Sequence, residues 1–365
     1  MQTCLILNIM KNAPQFSFND IESPNLADRG VFDSEPMDED DLWFLPGPDP
    51  DADTPEAIPL PRADVRPLVD VAAWRAAEAT LVRPLADLAL RLGGLAARLE
   101  SGPAGWRHRL ALQEATDLSW LSGDRVPLER LALWMTLRLA GDNEDAQALA
   151  RAGWAARRLQ GGLAPADDLA GFLGRPAAED AQIADWQDVI DQAQGLHPIC
   201  RAALGFHIWP VVGLSAGHVL GGAAPVPLIE AAVVAARSSL GTNAPFVPLA
   251  LGGAGGLRGA GAPLDRLQRW IAGADHATRK ALSLLNRMGE WEAQTRLTCA
   301  TLSGRTPGKL ITVLRDWPLV SAPMAEAKTG ASRAAVQRNL NWMAARGLIR
   351  ETTGQGRYRF WTAQL

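Results

Sequence analysis

The chain has 365 residues, 47% of them hydrophobic and 21% charged, so it is long enough for two or three domains and can bury a sizeable core. Its three cysteines are widely spaced without a CxxC pair, which argues against a zinc ribbon or a disulfide framework and favours a cytoplasmic protein. No window approaches the roughly 18 uninterrupted apolar residues of a membrane span, and no signal peptide is recognisable, so no membrane partner is expected.

The formal net charge of −4 hides three blocks of different charge. Residues 1–60 hold 13 acidic and 2 basic residues, residues 61–304 hold 24 of each, and residues 305–365 hold 3 acidic and 10 basic residues. The first block is rich in acid and proline, which predicts a disordered acidic tail over residues 1–62. A small basic unit behind a neutral body suggests a nucleic-acid-binding module.

The neutral block is rich in Ala, Leu and Arg and predicts a mainly α fold, a multi-helix body. A first helical region is assigned to residues 63–163 and a second to residues 164–303. The first begins with a helix over residues 64–100, weakened at Gly93 and Gly94, whose apolar positions are Val69, Ala72, Ala73, Ala76, Ala79, Leu85, Leu88, Leu92 and Leu95. Further helices are predicted within residues 107–160, 165–174, 178–214, 228–238 and 264–302. No β-alternation is found before residue 348.

Residues 304–365 have the pattern of a winged helix-turn-helix domain. A helix from about Pro307 to Arg315 precedes a short helix at Pro323–Lys328 and a turn centred on Gly330. Ser332 is a suitable N-cap for a helix over residues 333–345, which Gly347 ends. Two strands around a glycine-bearing turn, residues 353–356, complete the pattern as a wing.

The helix over residues 333–345 has an apolar and a polar face. Val336, Leu340 and Met343 share the face that should pack inward. Double-stranded DNA is the expected partner of the other face and of the wing, with contacts from Ser332, Arg333, Ala334, Gln337, Arg338, Asn341, Arg357 and Arg359. Of these, Gln337, Arg338 and Asn341 are of the types that read base edges, whereas the other arginines suit the DNA backbone. A single winged helix reads few bases, so a homodimer is expected; a winged helix used only for protein contacts is the alternative.

Four stretches, residues 110–134, 151–159, 197–209 and 228–241, resemble a family of rhizobial and related alphaproteobacterial proteins that are often plasmid-borne. Members carry a domain of unknown function followed by a C-terminal helix-turn-helix. The resemblance covers about residues 64–365. It implies a cytoplasmic, DNA-binding transcriptional regulator and no known enzymatic activity.

A more distant resemblance is to Fic-type AMP-transferases with an appended winged helix. The segment from His197–Pro198 to His207 is similar to their core helix, but Leu214 stands where the loop that follows should carry the catalytic histidine. Ser122 likewise replaces the glutamate of their inhibitory motif. The resemblance implies a scaffold without its active site. A divergent or inactive nucleotidyltransferase therefore stays an alternative function, as does a protein-interaction partner of a plasmid-borne system.

Other chemical motifs are weak. His197, Cys200, His207 and His218 match no standard metal-ligand spacing, so no metal is expected. Ser215 lies in a GxSxG pattern but follows a helix rather than a strand, which is not the context of a nucleophile elbow. The glycine-rich residues 251–263 lack GxGxxG, and residues 303–309 only approximate a phosphate loop. The sequence therefore predicts no catalytic residue and no cofactor.

Overall fold

The computed structural model describes residues 66–137, 146–174, 181–214, 228–239, 245–354 and 359–365. Most of these residues are helical, which confirms the predicted mainly α fold. The predicted acidic tail lies outside the described residues, as do Ser215 and His218. Within the described ranges, no helix combines the length and the apolar character that crossing a lipid bilayer would need.

Residues 63–365 form one compact unit, whose first part is a bundle of helices. In chain order these are α1 (Arg66–Val69), α2 (Val71–Thr80), α3 (Val82–Ser101), α4 (Ala104–Ser119), α5 (Leu128–Leu137), α6 (Ala146–Gln160), α7 (Leu169–Leu173), α8 (Ala181–Gln192), α9 (Pro198–Ile208), α10 (Ile229–Ser238) and α11 (Pro263–Cys299). A short 3₁₀ turn, Ala254–Leu257, precedes α11. The long helix α11 packs against both α2 and α3.

The predicted helix over residues 64–100 is interrupted at other places than the one expected. Gly93 and Gly94 lie inside the continuous helix α3, exposed and with open space around them, so they do not break it. The interruptions fall instead at Asp70, between α1 and α2, and at Leu81, between α2 and α3.

The predicted buried face is right for α3 and wrong for α2. In α3, Leu85, Leu88, Leu92 and Leu95 are buried as expected. In α2 the buried residues are Val71, Trp74 and Ala77, whereas Ala72, Ala76 and Ala79 are exposed. The large Trp74 ring fixes the orientation, because its burial and its Nε1–H donation to the Leu68 carbonyl (3.0 Å) outweigh the burial of small alanines.

The C-terminal part combines three helices with a small sheet. Its elements are α12 (Thr306–Asp316), β1 (Val320–Ser321), α13 (Ala322–Thr329), α14 (Arg333–Ala345), β2 (Ile349–Glu351) and β3 (Phe360–Ala363). The antiparallel sheet has the order β1-β3-β2, with Val320 opposite Trp361 and Ile349 opposite Ala363. The sequence did not predict β1, because two residues are too few to show alternation.

The core of this C-terminal part reaches back into the body. Leu310, Leu314, Val336 and Leu340 form it together with Trp361, all of them fully buried. Trp291 and Cys299, near the end of α11, belong to the same cluster. The indole Nε1–H of Trp291 also donates to the Leu348 carbonyl at 2.7 Å, just before β2. The last two turns of α11 therefore pack as part of the C-terminal core.

A buried guanidinium joins α4 to the end of α12. Arg109 is 7% exposed, and its Nε–H donates to the Arg315 carbonyl at 2.7 Å. Its Nη2 donates to the Trp317 carbonyl at 2.5 Å and to the Leu314 carbonyl. These are carbonyls that a helix end leaves without intrahelical partners, so one side chain of the body caps α12. Burial lowers the pKa of Arg109 to about 10, opposed by the charge of Asp316, and the group stays charged at neutral pH.

A buried carboxyl group holds the loop that precedes the 3₁₀ turn. Glu114 of α4 is fully buried, and its side chain accepts hydrogen bonds from the backbone N–H groups of Leu249 (2.7 Å) and Ala250 (2.8 Å). Asp117, one turn later, accepts from the N–H of Gly252 at 2.9 Å. Burial raises the pKa of Glu114 to about 7, because the backbone donors only partly replace the lost water.

Replacing Arg109 by leucine should destabilise the protein by about 2–4 kcal/mol, because one buried and two partly buried carbonyls lose their donor. The adjacent Arg107→Leu is the control, since Arg107 makes one longer hydrogen bond, to the Leu99 carbonyl at 3.3 Å. Urea unfolding of both variants measures the difference. Equal, small losses would show that Arg109 does not hold α12.

Glu114→Gln should change how stability depends on pH. The carboxyl group has a pKa of 4.5 in the unfolded chain and about 7 in the folded one, so the folded state binds the proton more tightly. Its contribution to stability is complete below pH 4.5 and is lost as the pH rises through 7. From pH 5 to pH 8 the variant should gain roughly 2–3 kcal/mol relative to the parent protein, as measured by urea unfolding. Parallel pH profiles would contradict this.

Candidate nucleic-acid interface

The helices α13 and α14 are joined by a turn of three residues. Gly330 has φ 66°, a left-handed conformation that ends α13, and its N–H donates to the Glu326 carbonyl. Ser332 caps α14 by accepting from the Ala335 N–H at 3.4 Å. The helix spans the residues that the sequence predicted, 333–345, because both of its end signals are local.

The inner face of α14 fixes its rotation about its own axis. Val336, Leu340 and Met343 are fully buried, as predicted. Asn339 is also buried, which the sequence did not suggest, and its Nδ2–H donates to the Ala335 carbonyl at 2.8 Å. This bond within the helix satisfies the amide, so the polar residue does not disturb the packing.

The opposite face of α14 carries the polar side chains singled out in the sequence. The residues exposed on it or at its N-terminal end are Ser332, Arg333, Ala334, Arg338 and Asn341, while Gln337 is half-buried. The Gln337 Nε2–H donates to Asn341 Oδ1 at 3.1 Å, which aligns the two amides along the helix. Arg333 and Arg338 make no hydrogen bond or ion pair with another described residue. Their guanidinium groups are therefore available to a ligand.

The strands β2 and β3 place one of the two predicted wing arginines. Arg359 directly precedes β3 and lies over the Trp361 ring, with 5.2 Å between Cζ and the ring centroid. Its Nε is also 4.0 Å from a Glu351 carboxylate oxygen. A hydrogen bond from the Thr353 hydroxyl lowers the pKa of Glu351, so this acid stays charged beside Arg359. Arg357, the other predicted wing arginine, lies outside the described residues.

Several basic residues of the C-terminal part have structural partners. Arg315 pairs with Glu292 (3.2 Å) and Asp316 (2.8 Å), and Lys309 Nζ donates to the Thr329 carbonyl at 2.7 Å. The net positive charge counted from the sequence is therefore larger than the positive charge that a binding partner would contact. The composition does not distinguish paired from unpaired basic residues, because pairing depends on neighbours in the tertiary structure.

Other exposed cations lie near the turn and α14, although the sequence did not single them out. Arg305 lies at the start of α12, Lys328 near the end of α13 and Arg346 at the end of α14. Lys328 Nζ is 4.3 Å from the Trp317 ring centroid, and Arg346 Cζ is 3.7 Å from that of Trp342. Both remain exposed, so they extend the positive surface around the turn and α14.

The residues weighed for other chemistry have structural roles where they are described. His197 caps α9 by accepting from the Ile199 N–H at 3.2 Å, and Cys200 is buried. His207 lies 3.1 Å from an Arg266 nitrogen, and burial lowers the pKa of His207 to about 3. In the part of the chain that is described, no three His, Cys, Asp or Glu side chains are arranged to hold a metal ion.

Comparison with known proteins adds no assignment: no family model matches this sequence, and no curated protein is similar to it.

The turn between α13 and α14 can be tested by a pair of glycine substitutions. Gly330→Ala should cost about 1–2 kcal/mol, because alanine is strained at a φ of 66° although space is available. Gly308→Ala is the control, because Gly308 lies within α12, where alanine is the better helix former and meets no close neighbour. Thermal unfolding should show a lower melting temperature for the first variant and an unchanged or higher one for the second. A stable Gly330→Ala would contradict the left-handed turn.

Proposed function

We propose that residues 304–365 are a winged helix-turn-helix domain and that the protein is a DNA-binding transcriptional regulator. The observation that carries the proposal is the division of α14. One face is buried in the C-terminal core, while the other exposes Arg338 and Asn341. In helix-turn-helix proteins the second helix enters the major groove and presents such side chains to base edges.

Each side chain of α14 has a role in this proposal. Arg338 reads guanine, and the aligned amides of Gln337 and Asn341 read adenine. Ser332 and Arg333 lie at the N-terminal end of the helix and contact phosphate, and Ala334 allows the backbone to approach the DNA. An arginine without a protein partner gives up no ion pair when it binds DNA, which supports these assignments.

The wing supplies further contacts to the DNA backbone. Arg357 and Arg359 are assigned to phosphate or the minor groove. Arg359 contributes less than a free arginine would, because it must leave Glu351 and the Trp361 ring to reach DNA. Phosphate contacts of this kind make affinity fall steeply with salt concentration.

The protein is proposed to bind as a homodimer. A single winged helix contacts few base pairs, so two copies are needed to select a site in a genome. A two-fold symmetric dimer predicts a palindromic site, with its half-sites about one helical turn or a multiple of it apart.

Selection of genomic DNA fragments by the purified full chain tests the proposal. We expect a shared motif with two half-sites. The variants Arg338→Ala and Asn341→Ala should each weaken binding to it by about 1–3 kcal/mol and relax the sequence preference at one position. Arg83→Ala is the matched control, since Arg83 is exposed on α3 and has no described partner.

The outcomes separate sequence-specific from general DNA binding. An equal loss of affinity on all DNA sequences would remove the base-reading role and leave only phosphate contacts. Absence of an enriched motif, or the same enrichment with both variants, would falsify the regulator and favour the protein-interaction alternative.

A further inference from the structure

A cavity of about 390 Å³ lies where the body meets the C-terminal sheet. Its walls come from α4, α5 and α11 on one side, and from β2, β3 and the segment before β1 on the other. This volume is at the small end of the range of roughly 300–1,000 Å³ that is typical of ligand pockets. The cavity shares no lining residue with the outer face of α14.

The charged lining of the cavity is mostly positive. Among the described side chains that line it, Arg109, Arg287 and Arg350 contribute three guanidinium groups and Glu129 contributes one carboxylate; Gln364 and Leu365 complete the wall after β3. Gln113 adds an amide, and leucine, proline and alanine side chains supply apolar wall. A concave site with convergent cations and some apolar surface suits a small organic anion.

Two of the three guanidinium groups can still donate hydrogen bonds to a ligand. Arg287 is exposed and makes no hydrogen bond or ion pair with another described residue. Among the described residues, the Arg350 guanidinium pairs only with Glu129, at the long distance of 3.9 Å and between side chains that are 63% and 49% exposed. Such an exposed pair is worth little, so a ligand can replace it at small cost. Arg109 already caps α12 and provides fixed positive charge at the wall.

We propose that this cavity binds a small organic anion, a carboxylate or a phosphate ester, as an effector of the protein. Arg287 on α11 and Arg350 on β2 hold the anionic group from the two sides, and Glu129 sets the affinity by competing for Arg350. The strand β2 follows α14 directly, so a bound anion fixes the position of α14 relative to the body. This regulatory consequence rests on the proposed DNA-binding function, whereas anion binding itself does not.

Calorimetric titration of the full chain tests the proposal, with citrate as the carboxylate probe and glycerol 3-phosphate as the phosphate probe. Sodium chloride holds the ionic strength constant. We expect saturable binding of at least one probe, and the stronger binder identifies the chemical source. Arg287→Gln and Arg350→Gln should each weaken that binding about tenfold, as expected for the loss of one charged hydrogen-bonding group. Arg83→Gln, which removes the same charge from α3, should leave it unchanged.

Glu129→Gln provides a test in which the expected result is tighter anion binding rather than a loss of binding. Removing the competing carboxylate should tighten anion binding severalfold, a result that a damaged fold would not give. The proposal is overturned if neither probe binds, or if all the arginine variants respond like Arg83→Gln. It is also overturned if Arg287→Gln and Arg350→Gln weaken DNA binding while neither anion binds, because the arginines then serve the duplex.

The regulatory consequence has its own readout. The affinity for the selected DNA site, measured with and without the bound probe, should change in the parent protein and stay constant in Arg287→Gln. Anion binding without any DNA binding would refute the proposed function and leave the cavity proposal standing. DNA binding without anion binding would refute the cavity proposal and leave the proposed function standing.

Discussion

A buried guanidinium anchors the first of the C-terminal helices to the body. Arg109 comes from α4, most of whose residues are buried, and its hydrogen bonds end on the last turn of α12 and on Trp317 just after it. The two backbones touch beside it: a Cβ added to Gly105 would lie 2.2 Å from the Asp316 Cα. Since β1, α13 and α14 follow α12 within a few residues, this contact fixes where they begin, and the packing of Trp291 and Cys299 from α11 completes their placement.

The sequence predicted the elements whose signals are local. The bounds of α14 were predicted correctly, because Ser332 and Gly347 mark them and Val336, Leu340 and Met343 define its inner face. The face of α2 was wrong, since the ring of one tryptophan outweighs several alanines and periodicity counts them equally. The two-residue strand β1 left no pattern to recognise.

Features that depend on distant residues could not be predicted. The contacts of Arg109 with residues 314–317 join positions about 200 apart in the chain, and nothing near Arg109 in the sequence distinguishes it from Arg107. The same holds for Glu114, whose hydrogen bonds reach Leu249 and Ala250. The types of side chain at the candidate interface were readable from the sequence, but which arginines are free and which are paired was not.

The shared core around Trp291 and Cys299 bears on how such a protein can evolve. Domains that recombine freely carry their own core and meet their neighbours through a linker. Here a recombination point just before α12 would leave behind the Trp291 indole that donates to the Leu348 carbonyl, and also Cys299, which belongs to the same core. The C-terminal part is therefore inherited with the end of α11, and under the proposed function a new DNA specificity is reached more readily by substitution on α14 than by exchange of residues 304–365.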